Sequence, residues 1–196
     1  MNNGKLKRTE DYLYNVRFLV FRLLAGSALL YTGDGEMSKI YIVGIVASGK
    51  TTLAKKLSKE MNIPHYELDC IVHVKTENGS YKRTPEEQVQ EIKRIDELGD
   101  WIIEGTLRSS CHCLLEMADK IIFLDTPLWL RKCRILTRFI KQQLHIEPCH
   151  YKSDFNMLRL MYKWTDDFEN NRKQFEEILS TYKYKLTTIA SSNAKL

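Results

Sequence analysis

The strongest constraint on this chain lies in residues 39 to 61. The β-branched run over residues 39–43 reads as a short strand, the octapeptide Gly44-Ile45-Val46-Ala47-Ser48-Gly49-Lys50-Thr51 follows at once, and Leu53, Leu57 and Met61 then recur at helical spacing. The octapeptide satisfies G-x-x-x-x-G-K-[ST] and stands where that pattern has a mechanism, after a strand and opening a helix. Gly44 and Gly49 permit backbone geometry that a side chain would resist. Successive N–H groups from Ala47, Ser48 and Gly49 through Lys50, Thr51 and Thr52 can then surround one phosphate at the positive end of the helix. Lys50 adds a mobile cation, and the Thr51 hydroxyl is a ligand for Mg²⁺. An accidental glycine-rich turn tolerates the same composition but needs neither the flanking strand and helix nor Thr51. The segment therefore predicts nucleotide-phosphate binding and leaves kinase, ATPase and GTPase chemistry open.

From Lys39 onward strand and helix signals alternate, as in a parallel sheet covered on both faces. Further strands are expected at residues 65–68, 101–103, 121–124 and, on a weaker pattern, 185–189. Thr84-Pro85-Glu86-Glu87 has the form of a helix start, with Thr84 as cap, Pro85 at the first position and Glu87 completing a capping box; that helix is expected to run to about Leu98. Residues 129–143 and 155–182 read as long helices. The expected fold is α/β: a three-layer P-loop NTPase architecture over residues 38–196, with a five-stranded parallel sheet and a short helical lid. A chain of 196 residues with 43% hydrophobic content, four prolines and nine glycines is suited to one such core.

Downstream, Ile103-Glu104-Gly105-Thr106-Leu107-Arg108 resembles the Leu-Asp-Gly-Phe-Pro-Arg segment common at the end of the third strand in nucleoside monophosphate kinases. The resemblance implies that Glu104, one methylene longer than aspartate, orders Mg²⁺-bound water and that Arg108 grips an acceptor phosphate. A strand-ending acid paired with a nearby arginine is the plainer alternative. Phe123-Leu124-Asp125-Thr126-Pro127 closes the next strand, and the following helix carries Arg131, Arg134, Arg138 and Lys141 on one face. No acid falls between Asp125 and Glu147, so the stripe lacks a local ion partner. It is expected either to neutralise a migrating phosphoryl group or to form a solvated basic face. Arg134-Ile135-Leu136-Thr137-Arg138 resembles the two-arginine entrance to the adenylate-kinase lid. Asp166, Asp167 and Arg172 resemble, in inexact register, a further segment of those kinases, with Arg172 read as a surface helix residue or a catalytic cation.

Across residues 39–188 the chain more closely resembles the adenylate-kinase-related proteins of the DNA topology modulation (FlaR-related) group. The P-loop, Glu67-Leu68-Asp69, Trp101-Ile102-Ile103-Glu104-Gly105, residues 123–127 and the Arg134/Arg138 helix carry that likeness. It implies ATP and Mg²⁺ as cofactors and transfer of the γ-phosphate to a small-molecule acceptor, a nucleotide among the candidates. Asp69 lies at the C-terminal sheet edge, where α/β folds bind ligands; it accepts a substrate hydroxyl, acts as a base, or merely caps a loop. Within residues 70–100 no phosphate-gripping arginine aligns, and Lys82 and Arg83 substitute by location alone. The candidate catalytic set is thus Lys50, Asp69, Arg108, Arg134 and Arg138, with Thr51 and Glu104 as the metal set. A nucleotide-dependent regulatory ATPase or binding protein, acting through a partner or nucleic acid, is the competing reading.

Lys and Arg outnumber Asp and Glu by 30 to 25, a modest excess that suits small anionic substrates. No helix-turn-helix or zinc-finger pattern occurs, and no specific nucleic-acid binding is expected. Five scattered cysteines without a convincing secretory signal point to reduced thiols in a cytoplasmic enzyme. Cys111-His112-Cys113 with His145, Cys149 and His150 offers a weak zinc alternative that lacks any CxxC pair. Residues 1–37 read as an extension, helical or outside the core. Val16, Leu19, Val20, Leu23 and Leu24 follow helical spacing, yet Arg17 and Arg22 make a spanning helix costly, so membrane association is expected only through residues 11–31 lying on a surface. Monomer and homodimer are equally open.

Overall fold

A run without polar alternation suits a strand covered on both faces, and β1 (Lys39–Val43) is buried from Ile40 to Val43. The computed structural model describes residues 38–77, 79–146 and 153–190. The chain divides into two units between residues 37 and 38, and the reading of residues 11–31, like Cys149 and His150, falls outside the described residues.

Helix α1 (Lys50–Met61) starts from Gly49, at φ 101, and stops at Asn62, at φ 57. Both ends use the left-handed region that glycine and asparagine enter most readily. Leu53, Ala54 and Leu57 form its buried stripe. Strand β2 (His65–Glu67) leads into a short helix, α2 (Leu68–Val72), and then into an antiparallel hairpin of β3 (His73–Thr76) and β4 (Gly79–Lys82). The capping box at Thr84 and Glu87 is formed in both directions and opens α3 (Pro85–Glu97). There follow β5 (Trp101–Gly105), a 3-10 turn at Ser109–Cys111, α4 (Cys113–Met117), β6 (Lys120–Asp125), α5 (Leu128–Gln143), α6 (Phe155–Ser180) and β7 (Leu186–Ala190).

The large sheet has the order β2-β5-β1-β6-β7, and every adjacent pair is parallel. β1 and β5 pair Ile42 with Glu104 and Val43 with Gly105, while β2 and β5 pair Glu67 with Glu104. Those registers align the carboxyl ends of β1, β2 and β5 along one edge. Trp101, Ile103, Tyr41, Leu68, Ile92 and Ile121 anchor the core beneath that edge. This is the α/β P-loop NTPase fold with the five-stranded parallel sheet expected from the sequence.

Two local expectations change. Leu68 does not end a strand but starts α2, since its side chain is fully buried beneath Gly105. The β3–β4 hairpin is an unforeseen addition: its one apolar pair, Val74 with Tyr81, is largely uncovered, and only Val74 in it is even half-buried. No helix among the described residues is long and apolar enough to cross a membrane.

Candidate functional site

The phosphate loop is built by two left-handed residues, Ala47 at φ 59 and Gly49 at φ 101. Thr126 Oγ1 donates to Ser48 O at 2.9 Å, and Arg134 Nη1 donates to Ser48 O at 3.1 Å and Ala47 O at 3.2 Å. In a trans peptide the next N–H points opposite to its carbonyl, so these bonds aim the Gly49 N–H away from α5 and β6. A Cβ on Gly44 would stand 2.9 Å from Ser48 Oγ and 3.1 Å from Leu124 O. Glycine is therefore required here for space, while the left-handed geometry belongs to Gly49 alone of the two loop glycines. Ser48 Oγ is itself buried without a hydrogen-bond partner, a polar group awaiting an acceptor or donor at the loop.

Lys50 Nζ donates to Ile45 O at 2.9 Å, folding over its own loop. Thr51 Oγ1 donates to Glu104 Oε1 at 2.5 Å, joining the first turn of α1 to the end of β5. Glu104 is 5% exposed. Burial pushes its carboxyl above the usual carboxylate range, against the Thr51 bond and Lys50, with Glu67 and Asp69 adding to the rise. Burial likewise pulls Lys50 below the ordinary lysine value; Glu104 and Asp69 oppose that shift and Arg138 reinforces it. The Lys50 ammonium thus lies in the combined field of Glu104, Asp69 and Arg138.

Across this edge Arg108 Nη2 donates to Asp69 Oδ1 at 2.6 Å, while Arg108 Nε is buried without a partner. Gln88 ties the surrounding segments together. Its Oε1 accepts from Ser110 Oγ at 2.8 Å and Cys111 Sγ at 3.5 Å, and its Nε2 donates to Arg83 O at 2.7 Å. Arg83 Nη1 donates to Ile71 O at 2.7 Å, so this guanidinium braces α2. Lys82 stands exposed on β4. Beneath them the buried Tyr41 hydroxyl donates to Thr106 O at 3.5 Å, and burial holds it protonated well above the usual tyrosine range.

The basic stripe of α5 is divided. Arg131, expected to face a phosphoryl group or solvent, is instead 1% exposed, pairs with Glu169 of α6, donates to Thr126 O at 2.9 Å and lies over the Phe168 ring. Its partner comes from 38 residues downstream, beyond the reach of local charge counting. Arg134 reaches the loop, whereas Arg138 and Lys141 are exposed. Arg172 binds Asp125 Oδ2 at 2.6 Å and Glu176 Oε1 at 2.7 Å, which fastens α6 to the end of β6.

Gln88, Thr126, Ser110 and Tyr41 were not singled out by sequence reasoning. Gln88 had a legible signal: it occupies the buried stripe of α3 with Ile92 and Ile95, at spacings of four and three, where an apolar side chain is expected. Among the described residues no three His, Cys, Asp or Glu side chains converge as a metal cage, and Cys70, Cys111, Cys113 and Cys133 are free. Mg²⁺ is compatible with this edge because it commonly takes only one or two protein oxygens, completing its shell with water and phosphate. Thr51 Oγ1 and the Glu104 carboxylate supply such oxygens, and at the loop the buried Ser48 Oγ has no hydrogen-bond partner.

No family model matches this sequence, and no curated protein matches it at a significant level. Solved structures similar to the chain include a shikimate kinase from Bacteroides thetaiotaomicron, at 15% identity and TM-score 0.45, covering 76% of this chain and 96% of that one. An uncharacterized protein from Eubacterium ventriosum has 16% identity and TM-score 0.47, covering 78% and 88% of the respective chains. A gluconokinase from Sinorhizobium meliloti 1021 has 15% identity and TM-score 0.44, covering 80% and 83%.

Proposed function

We propose that this chain transfers the γ-phosphoryl group of Mg·ATP to a hydroxyl of a small-molecule acceptor. The observation that carries the reading is the pair of contacts along one sheet edge: Thr51 Oγ1 donates to Glu104 Oε1 at the phosphate loop, and Arg108 Nη2 donates to Asp69 Oδ1 across from it. A loop used only to hold nucleotide needs no acid–arginine pair facing it from the opposite segment. The loop amides and Lys50 hold the donor phosphates; Arg134 and Arg138 balance charge on the migrating group. Thr51 and Glu104 would hold Mg²⁺, which when bound neutralises charge on the phosphate oxygens.

Arg108 orients the acceptor, and Asp69 accepts the proton of its hydroxyl. The hydroxyl oxygen bonds to the γ-phosphorus as the bond from that phosphorus to the β–γ bridging oxygen breaks, and ADP departs. The Asp69–Arg108 ion pair must open to admit the acceptor, so acceptor entry exchanges one charge-assisted bond for another.

The test is ADP release across sugars, hydroxy acids, nucleosides and nucleotides. One acceptor should raise turnover well above slow hydrolysis. Lys50→Ala should lower that transfer by about 10³-fold and Arg108→Ala by about 10²-fold, magnitudes typical of removing charge-stabilising or substrate-orienting groups. Failure of every acceptor, together with partner binding that survives Arg108→Ala but not Lys50→Ala, would favour the regulatory ATPase instead.

A further inference from the structure

The β3–β4 hairpin makes almost no core, yet it is fixed at the acceptor edge. Two isolated strands are marginal in water, and seven of the eight strand residues here are exposed. Its base is held by Arg83 N, which donates to Val72 O at 2.9 Å, and by the Arg83 guanidinium on Ile71 O. Through Gln88 the same base is bonded to Ser110, two residues beyond Arg108. The hairpin therefore grows from the short helix that bears Asp69 and is tied to the turn that follows Arg108.

Its faces are chemically different. The register sets His73 opposite Lys82 and Lys75 opposite Ser80, which places His73, Lys75, Ser80 and Lys82 on one face. Val74 and Tyr81 lie on the other. Among the described residues neither His73, Lys75 nor Lys82 enters an ion pair. Like charges on one face of a hairpin are unfavourable without a counter-charge. The Cys70 thiol, one residue after Asp69, is pushed up by burial, Glu67 and Asp69, and Lys75 opposes that rise.

We propose that the hairpin selects the acceptor: its His73, Lys75 and Lys82 face takes an oxyanion, phosphate or carboxylate, remote from the hydroxyl that is phosphorylated. The inference rests on the phosphotransfer reading and narrows its acceptor to an anionic molecule. A finger of four residue pairs reaches roughly 13 Å, enough to meet a group at the far end of a small metabolite.

The exposed Cys70 gives a local readout. The full chain is saturated with Mg·ADP to fill the P-loop and treated with iodoacetamide, and Cys70 modification is followed by peptide mass spectrometry. Inorganic phosphate, acetate and chloride are titrated separately at constant ionic strength. Phosphate or acetate should slow modification while chloride does not; the more effective of the two identifies the preferred oxyanion. Lys75→Glu/Lys82→Glu should raise the half-protecting concentration about tenfold, and Lys75→Gln/Lys82→Gln should shift it less in the same direction. The matched reversal of two exposed helix lysines, Lys93→Glu/Lys173→Glu, should leave it in place. Absent protection, or protection equal in the hairpin variants, overturns the proposal. Acceptor-stimulated ADP release without protection would leave phosphotransfer standing and remove the hairpin's role; protection with no acceptor for any phosphoryl group would do the reverse.

Discussion

The two sides of the carboxyl edge are built from different materials. On the donor side, backbone does most of the work: Ala47 and Gly49 supply left-handed turns, and the loop carbonyls are fixed by Thr126 and Arg134. On the acceptor side the contacts run through side chains from separate segments, Asp69 with Arg108, and Gln88 with the Ser110 hydroxyl and the Arg83 carbonyl. In the proposed phosphotransfer the triphosphate is the same for every acceptor, so its cradle can be made of peptide units that no point substitution removes. Side chains suit the variable half, because changing one changes the partner without rebuilding the sheet.

Glu104→Gln tests this division most severely, because the carboxylate belongs to the donor side but titrates under the influence of both. It should lower kcat by about 10²–10³-fold. The same substitution should raise Tm of the unliganded chain. The raised Glu104 pKa means the folded state binds more protons than the unfolded state above the ordinary carboxylate value. Stability conferred at low pH is therefore lost as pH rises through that window, and the neutral amide removes the penalty. Thermal melts across pH should show the difference between wild type and variant growing from acid to neutral conditions; parallel curves would place the proton elsewhere.

Gly105→Ala tests whether the halves are mechanically joined. Its added Cβ would fall 2.5 Å from Leu68 Cβ and 2.9 Å from Leu68 Cδ2, pressing β5 against the helix of Asp69. Overpacking of this kind should cost about 1–3 kcal/mol, measured by denaturant unfolding. In the double variant with Leu68→Gly, which removes the Cβ as well as the Cδ2, the losses should be less than additive, since the clash disappears; additivity would show that the segments move apart freely. The smallest effect is expected from Thr84→Ala, which removes the cap where the hairpin hands over to α3 and should cost about 1 kcal/mol in the same assay.

The same division explains what could be read in advance. The donor loop lies within eight consecutive residues, so its spacing, strand and helix are visible together. The Thr84 cap was legible for the same reason. Asp69 and Arg108 were individually visible, but their ion pair joins positions 39 residues apart. Arg131 was misread because its stripe contained no nearby acid, while Glu169 approached from another helix. The hairpin escaped notice because exposed strands lack the apolar period that normally announces them.

The position of β1 between β5 and β6 has a consequence for biosynthesis. The P-loop leaves β1, yet both strands that flank it lie later in the chain, with Ile42 paired to Glu104 and to Ile122. A nascent chain that ends soon after Thr51 has the complete nucleotide motif but nothing to hold its strand. Long-range pairing must be completed before the local loop is rigid. Ribosome-bound chains truncated before β5 should fail to retain an ATP analogue, and retention should begin only once β6 can dock. Nucleotide occupancy would then mark the moment at which synthesis has delivered a closed sheet.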